Sequence, residues 1–156
     1  MRHDHQSCEN IPWEEALRNV VGSEALLTDP EKLMVYECDA YTLEKKLPHA
    51  VALPGSADEV AEVVRICHEH QIPIIPRGAG TSLSGAVLAV DGGVTICLSR
   101  MHKILEVDPE NDRARVEAGC VNAWVSREVE SLGLSIYEET MYLPWELAGV
   151  ANWMTN

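Results

Sequence analysis

The sequence predicts an α+β domain: a parallel βαβ unit followed by part of an antiparallel unit. Three features point there. Two short apolar runs, AVALP from Ala50 and IPIIP over residues 72–76, flank a stretch of helical spacing, SADEVAEVVRICHEH. A loop of glycines and hydroxyl residues, RGAGTSLSGA, leaves the carboxyl end of the second run. Beyond it, GGVTICLSRMHKILEVDPENDRARVEAG holds three strand candidates at 94–98, 104–108 and 113–118.

Taken in order, PWEEALRNVV over residues 12–21 repeats apolar side chains at Trp13, Ala16, Leu17, Val20 and Val21, a helical spacing. Pro12 suits its first turn and Gly22 its exit. The stretch from Ser23 to Pro48 is broken at Asp29-Pro30 and again at Pro48, which predicts short helical pieces and loop. Residues 1–47 are thus expected to be a helical lead-in.

AVALP predicts a short strand ended by proline. In the helix that follows, Ser56 and Glu59 have the spacing of a capping box, and Val60, Val63, Val64 and Cys67 line one face. Strand, helix and strand in this order predict a parallel pair with a right-handed crossover. The candidates at 104–108 and 113–118 are joined by PEND, a good turn sequence, and are expected to pair antiparallel. VNAWVSREVESLGL then predicts a helix with Val121, Trp124, Val125 and Val129 inward and Gly133 at its exit.

Composition limits the partners. The formal net charge is −13, and no basic run is longer than Lys45-Lys46. Nucleic acid and anionic membrane surfaces are therefore poor partners, because nothing offsets phosphate repulsion. No apolar run reaches the roughly 18–20 residues of a membrane span, and the acids and histidines of MRHDHQSCENIP do not suit a signal peptide. A cytoplasmic location is expected. The five cysteines, at 8, 38, 67, 97 and 120, include no C-x-x-C pair, which argues against a disulfide framework or a zinc site. Cys67 and Cys97 fall on apolar faces and read as small buried hydrophobes. The pairs His3/His5 and His68/His70 could bind a metal, but i and i+2 side chains point apart on a helix, so solvated histidines are the simpler expectation.

The loop carries the chemistry. It is not a Rossmann turn, since Leu83 stands where the third glycine belongs, nor a Walker A loop, since Ala86 stands in place of the lysine. Its glycines still permit positive φ and close approach to a ligand. Successive amides can then form a concavity that suits an anion, with hydroxyls from Thr81, Ser82 and Ser84 and a cation from Arg77. A plain glycine-rich surface turn is the alternative.

PRGAGTSLSGAV resembles the pyrophosphate-binding loop of FAD-dependent oxidases of the vanillyl-alcohol oxidase and p-cresol methylhydroxylase (PCMH) type. The similarity is greatest to the flavin subunit of glycolate oxidase and the related D-lactate dehydrogenases. The frame agrees over about residues 25–135: LPHAVALPGSADEVAEVVRICHEHQIPIIPRGAGTSLSGA, then GGVTICLSRMHKILEVD, then ARVEAGC. The resemblance implies a PCMH-type FAD-binding domain, with FAD in a cleft between the parallel and antiparallel parts. Carried over by position, Pro76, Arg77, Gly78, Ala79, Gly80, Thr81 and Ser82 would wrap the pyrophosphate, chiefly through backbone amides. Gly85 and Ala86 would continue the contact at a following helix. It also implies oxidation of a 2-hydroxy acid, glycolate or D-lactate, with electrons passed to another acceptor, and it gives no residue here a catalytic role.

After LGLSIYEE the resemblance stops. The family's second glycine-rich segment and its substrate domain have no counterpart in TMYLPWELAGVANWMTN. The expectation is a partial FAD-binding domain over 48–136 with a divergent tail over 137–156, not catalytic alone. The alternatives are a non-catalytic FAD- or nucleotide-binding module working with a partner subunit, or an inert remnant. The tail's apolar residues, from Met141 to Trp153, either cover an exposed face or leave one sticky.

Overall fold

The computed structural model describes residues 12–134; the tail expected over 137–156, the pair His3/His5 and Cys8 lie outside the described residues. The elements are α1 (Pro12–Val21), β1 (Leu26–Leu27), α2 (Pro30–Leu33), β2 (Ala50–Ala52), α3 (Ala57–Glu69), β3 (Ile74–Arg77), β4 (Val94–Cys97), β5 (Ile104–Asp108), β6 (Arg113–Val116) and α4 (Asn122–Val129).

β1 to β4 form one sheet in the order β1-β2-β4-β3, and β5 and β6 form a second, two-stranded sheet. β2 and β3 are both parallel to β4, with Val51 and Ile75 each opposite Thr95. The parallel βαβ unit is therefore present, but its two strands do not touch: β4 lies between them. The reason is legible in VTIC, which is buried along its whole length and has no polar face to give to solvent. β1 is a strand the sequence reading did not foresee. It pairs antiparallel to β2, with Leu26 opposite Ala52. β5 and β6 pair antiparallel, as the PEND turn implies, with Asp112 left-handed at φ 50°.

Side-chain alternation sorts the parallel sheet into two covered faces. On one, Ala50, Ala52, Val94 and Ile96 pack against Val63, Ile66 and Cys67 of α3 and Leu17 and Val21 of α1. Full burial of a side chain such as Leu17 contributes roughly 1.5–3 kcal/mol. On the other, Val51 and Cys97 pack on Leu33 of α2, and Ile75 packs on Val87 and Ala89 of the β3–β4 connection. The segment before residue 48 thus supplies α1, β1 and α2 to the same two layers.

Two helices sit differently from expectation. In α3 the buried stripe is Val63, Ile66 and Cys67, while Val64 is 40% exposed, because the i, i+3, i+4 set that meets α1 is centred one position further on. Ser56 caps α3 by accepting from the Glu59 amide at 3.2 Å, but the Glu59 carboxylate takes the amide of Gly55 at 2.7 Å. In α4, Val125 and Val129 are buried, but Trp124 is 44% exposed and Val121 is exposed too. Trp124 lies edge-on to His102 with ring centroids 5.6 Å apart.

Candidate functional site: the loop at the end of β3

β3 stops at Arg77, whose carbonyl accepts from the Leu98 amide at 2.9 Å just past β4. The glycine-rich loop therefore departs from the carboxyl end of a parallel strand pair, the edge at which ligands of open α/β sheets gather. No helix lies between β3 and β4. This corrects the expectation that Gly85 and Ala86 open one: residues 86–87 form a turn, and the chain runs irregularly to Gly93.

The centre of the loop holds unspent donors. Among the described residues, none accepts a hydrogen bond from the amides of Ala79, Gly80 or Thr81. Gly80 has φ of 72°, the left-handed region, and Ala79 and Thr81 are exposed on either side of it. A left-handed residue among extended or right-handed ones turns neighbouring N–H groups toward a common point. No heavy atom lies within 4 Å of the position a Cβ on Gly78 would take. Unpaired backbone donors next to a glycine with open space at its side-chain position are what a pyrophosphate requires, so the residues present fit the diphosphate of a dinucleotide.

The rim of the loop is already engaged. The Ser82 carbonyl accepts from the Ala40 amide at 3.0 Å. The hydroxyls of Ser82 and Ser84 are 2.7 Å apart, and Ser82 Oγ also accepts from the Ser84 amide at 3.2 Å. Gly85 donates its N–H to Asp39 Oδ2 at 3.1 Å, so its amide is not a free donor. Ala86 is exposed in the following turn, and Pro76 is exposed in β3.

Arg77 does not reach outward as the sequence suggests. Its Nη1 donates to the Cys38 carbonyl at 2.8 Å, and its guanidinium lies 5.4 Å over the Tyr36 ring. Burial pushes the Tyr36 phenol above its ordinary range, and the nearby Cys97 thiol acts the same way against the smaller opposing effect of Arg77. Asp39 is the site residue that sequence reasoning missed. It is buried, and it accepts from the amides of Tyr41 at 2.9 Å and Gly85. The bond to Tyr41, two residues on, is an Asx turn, the signal that could have drawn attention to it.

A cavity of about 240 Å³ lies between the β5–β6 hairpin and α4, lined by Val107, Asp108, Arg113, Val125, Val129 and Leu134. None of these lining residues belongs to the glycine-rich loop. Among the described residues, His68 and His70 belong to no cluster that could hold a metal ion.

Known proteins place this arrangement. The FAD binding domain family matches residues 48–149. The chain is 38% identical over 120 residues to "Glycolate oxidase subunit GlcD" of Bacillus subtilis, covering 77% of this chain and 26% of that protein. It is 38% identical over 90 residues to "D-lactate dehydrogenase" of Anaerostipes hadrus, covering 58% of this chain and 19% of that protein. The fold matches the crystal structure of p-cresol methylhydroxylase with substrate bound at a TM-score of 0.64 and 25% identity, over 79% of this chain and 25% of that one. The chain spans about a quarter or less of the length of these proteins. By its matched sequence, its mixed helix-and-sheet fold and its loop at the sheet's carboxyl edge, the chain belongs to the FAD binding domain family, in the PCMH-type branch related to glycolate oxidase and D-lactate dehydrogenase, and its cofactor is FAD.

Proposed function

We propose that this chain supplies the FAD-binding part of a flavin-dependent 2-hydroxy-acid oxidoreductase acting on glycolate or D-lactate, and that it is not catalytic alone. The observation that carries the proposal is the row of unspent amides at Ala79, Gly80 and Thr81 at the carboxyl edge of the parallel sheet, with Ala79 and Thr81 exposed and Gly80 half-buried. These donors, with the hydroxyl of Thr81, hold the FAD pyrophosphate. Pro76, Gly78, Ser82 and Ala86 frame the same path, and the backbone of Arg77 and Gly85 sets its two ends. Neutral amides suit a chain of net charge −13, because they attract an anion without needing a basic surface. Each hydrogen bond to the charged diphosphate contributes roughly 1.5–3 kcal/mol.

When bound, FAD supplies the two-electron chemistry of hydroxy-acid oxidation. This chain's part is to grip and orient the phosphate bridge. The flavin-binding portion is assigned to residues 48–136, although the family match continues to residue 149, into the stretch 137–156 expected to diverge; the described part of 1–47 adds α1, β1 and α2 to the same layers. The binding groups for the acid are assigned to sequence the chain does not span or to a partner subunit. The names of its relatives, glycolate oxidase subunit GlcD and D-lactate dehydrogenase, support glycolate or D-lactate as substrates.

A titration of the purified chain with FAD, followed by flavin fluorescence, tests the proposal. Saturable binding that ADP competes away is expected, weaker than in enzymes with a complete flavin cleft. An absence of binding up to millimolar FAD overturns it.

A further inference from the structure

The phosphate loop is held by a segment that precedes the stretch matched to the FAD binding domain family, residues 48–149. At the loop's start, Arg77 Nη1 donates to the Cys38 carbonyl at 2.8 Å while its guanidinium covers Tyr36. In the middle, the Ala40 amide donates to the Ser82 carbonyl at 3.0 Å. At the far end, the Asp39 carboxylate, 5% exposed, takes the Gly85 amide at 3.1 Å and that of Tyr41 at 2.9 Å. These ties bracket Ala79, Gly80 and Thr81, whose amides remain unspent.

We propose that residues 36–41 form a clasp that fixes the phosphate loop in its binding shape before ligand arrives, with Asp39 and Arg77 as positioning residues that do not touch the ligand. This rests on the assignment of the loop as the phosphate site. By charge alone, a buried carboxylate beside an anion site opposes binding. Asp39 is satisfied by two backbone donors and ties the loop's end to a separate strand of chain. Arg77 lies where a side chain on residue 80 would fall, so its guanidinium underlies the loop while still bonded to Cys38. A loop ordered in advance loses less conformational freedom on binding, which raises affinity without a new ligand contact.

The test uses the 156-residue chain, with Asp39→Asn and Arg77→Lys as variants. ADP is the calorimetric probe, and backbone ¹⁵N relaxation of the free protein reports loop order. Unmutated, residues 79–84 are expected to show order parameters near the rigid value of about 0.85, falling below about 0.6 in both variants. ADP affinity is expected to fall roughly tenfold. For Asp39→Asn that loss has the sign opposite to simple electrostatics, since removing a negative charge should favour an anion. Equal or tighter ADP binding by Asp39→Asn overturns the proposal. So does weaker binding with unchanged loop order, which would mean direct ligand contact. If the unmutated chain binds no ADP, the phosphate assignment fails by itself, and the order parameters alone decide the clasp: lowered in the variants, it stands; unchanged, it falls. Should Asp39→Asn fail to fold, Arg77→Lys carries the same outcomes.

Discussion

The guanidinium of Arg77 lies against the α-carbon of Gly80, in the space that a β-carbon on residue 80 would occupy. Gly80 also has φ of 72°. Conformation therefore favours glycine there, and a β-carbon would also have to push aside the Arg77 guanidinium, the end of a flexible side chain. Gly80→Ala is expected to cost about 1–3 kcal/mol in urea unfolding and to weaken FAD binding. Gly78 has neither constraint: nothing lies within 4 Å of its would-be Cβ. Gly78→Ala should leave stability within about 0.5 kcal/mol yet lower FAD affinity, by placing a methyl group where the phosphate approaches.

Thr95 sits within β4, fully buried, and its hydroxyl has no hydrogen-bond partner among the described residues. Leaving a hydroxyl unsatisfied in an apolar layer costs about 1–3 kcal/mol. Thr95→Val keeps the shape and removes the polar atom. It is expected to raise stability by about 1 kcal/mol, read as a higher urea midpoint at constant slope. A lower midpoint would show that the hydroxyl has a partner in solution.

Gly119 joins the hairpin to the parallel sheet. Its amide donates to Met101 O at 2.8 Å, and a β-carbon there would overlap the Leu98 backbone carbonyl. Backbone cannot swing aside as a side chain can. Gly119→Ala is expected to destabilise by about 2–4 kcal/mol, well beyond Gly133→Ala. Gly133 is left-handed at φ 71° but has open space around it, so its alanine variant should cost only about 1–2 kcal/mol. Thermal melts of the two variants give the ordering.

Cys67 lies fully buried between α3 and the sheet, and burial pushes its thiol above the ordinary range. The thiolate is the reactive form, so the upward shift leaves less of it at any given pH. Its labelling by a thiol reagent should be slow at pH 8 and rise with unfolding, whereas the partly exposed Cys38 should label in the native state. Mass mapping of labelled peptides distinguishes them.

Much of this fold is written in local pattern. Pro12 and the 13/16/17/20/21 spacing define α1, Ser56 marks the start of α3, and the PEND turn joins β5 to β6. What local pattern does not contain is strand order. The central place of β4 follows from burial on two faces, which periodicity alone does not separate from other short apolar runs. β1 is only Leu26–Leu27, too short to carry an alternation signal. At the site, the glycines and hydroxyls suggested an anion loop, whereas nothing in residues 36–41 pointed to a role beside it. Asp39 and Arg77 act through bonds spanning 46 and 39 positions of chain, and no spacing rule reaches that far. The Arg77 charge suggested a phosphate contact, whereas the Tyr36 ring and the Cys38 carbonyl hold it inward.

A ¹H–¹⁵N correlation titration of the chain with ADP reads the loop amides directly. If main-chain donors at the end of β3 hold the diphosphate, the amide signals of Ala79, Gly80 and Thr81 shift first and furthest, moving downfield as they gain an anionic acceptor. Binding that leaves those signals in place while moving others, or none up to millimolar ADP, would contradict it.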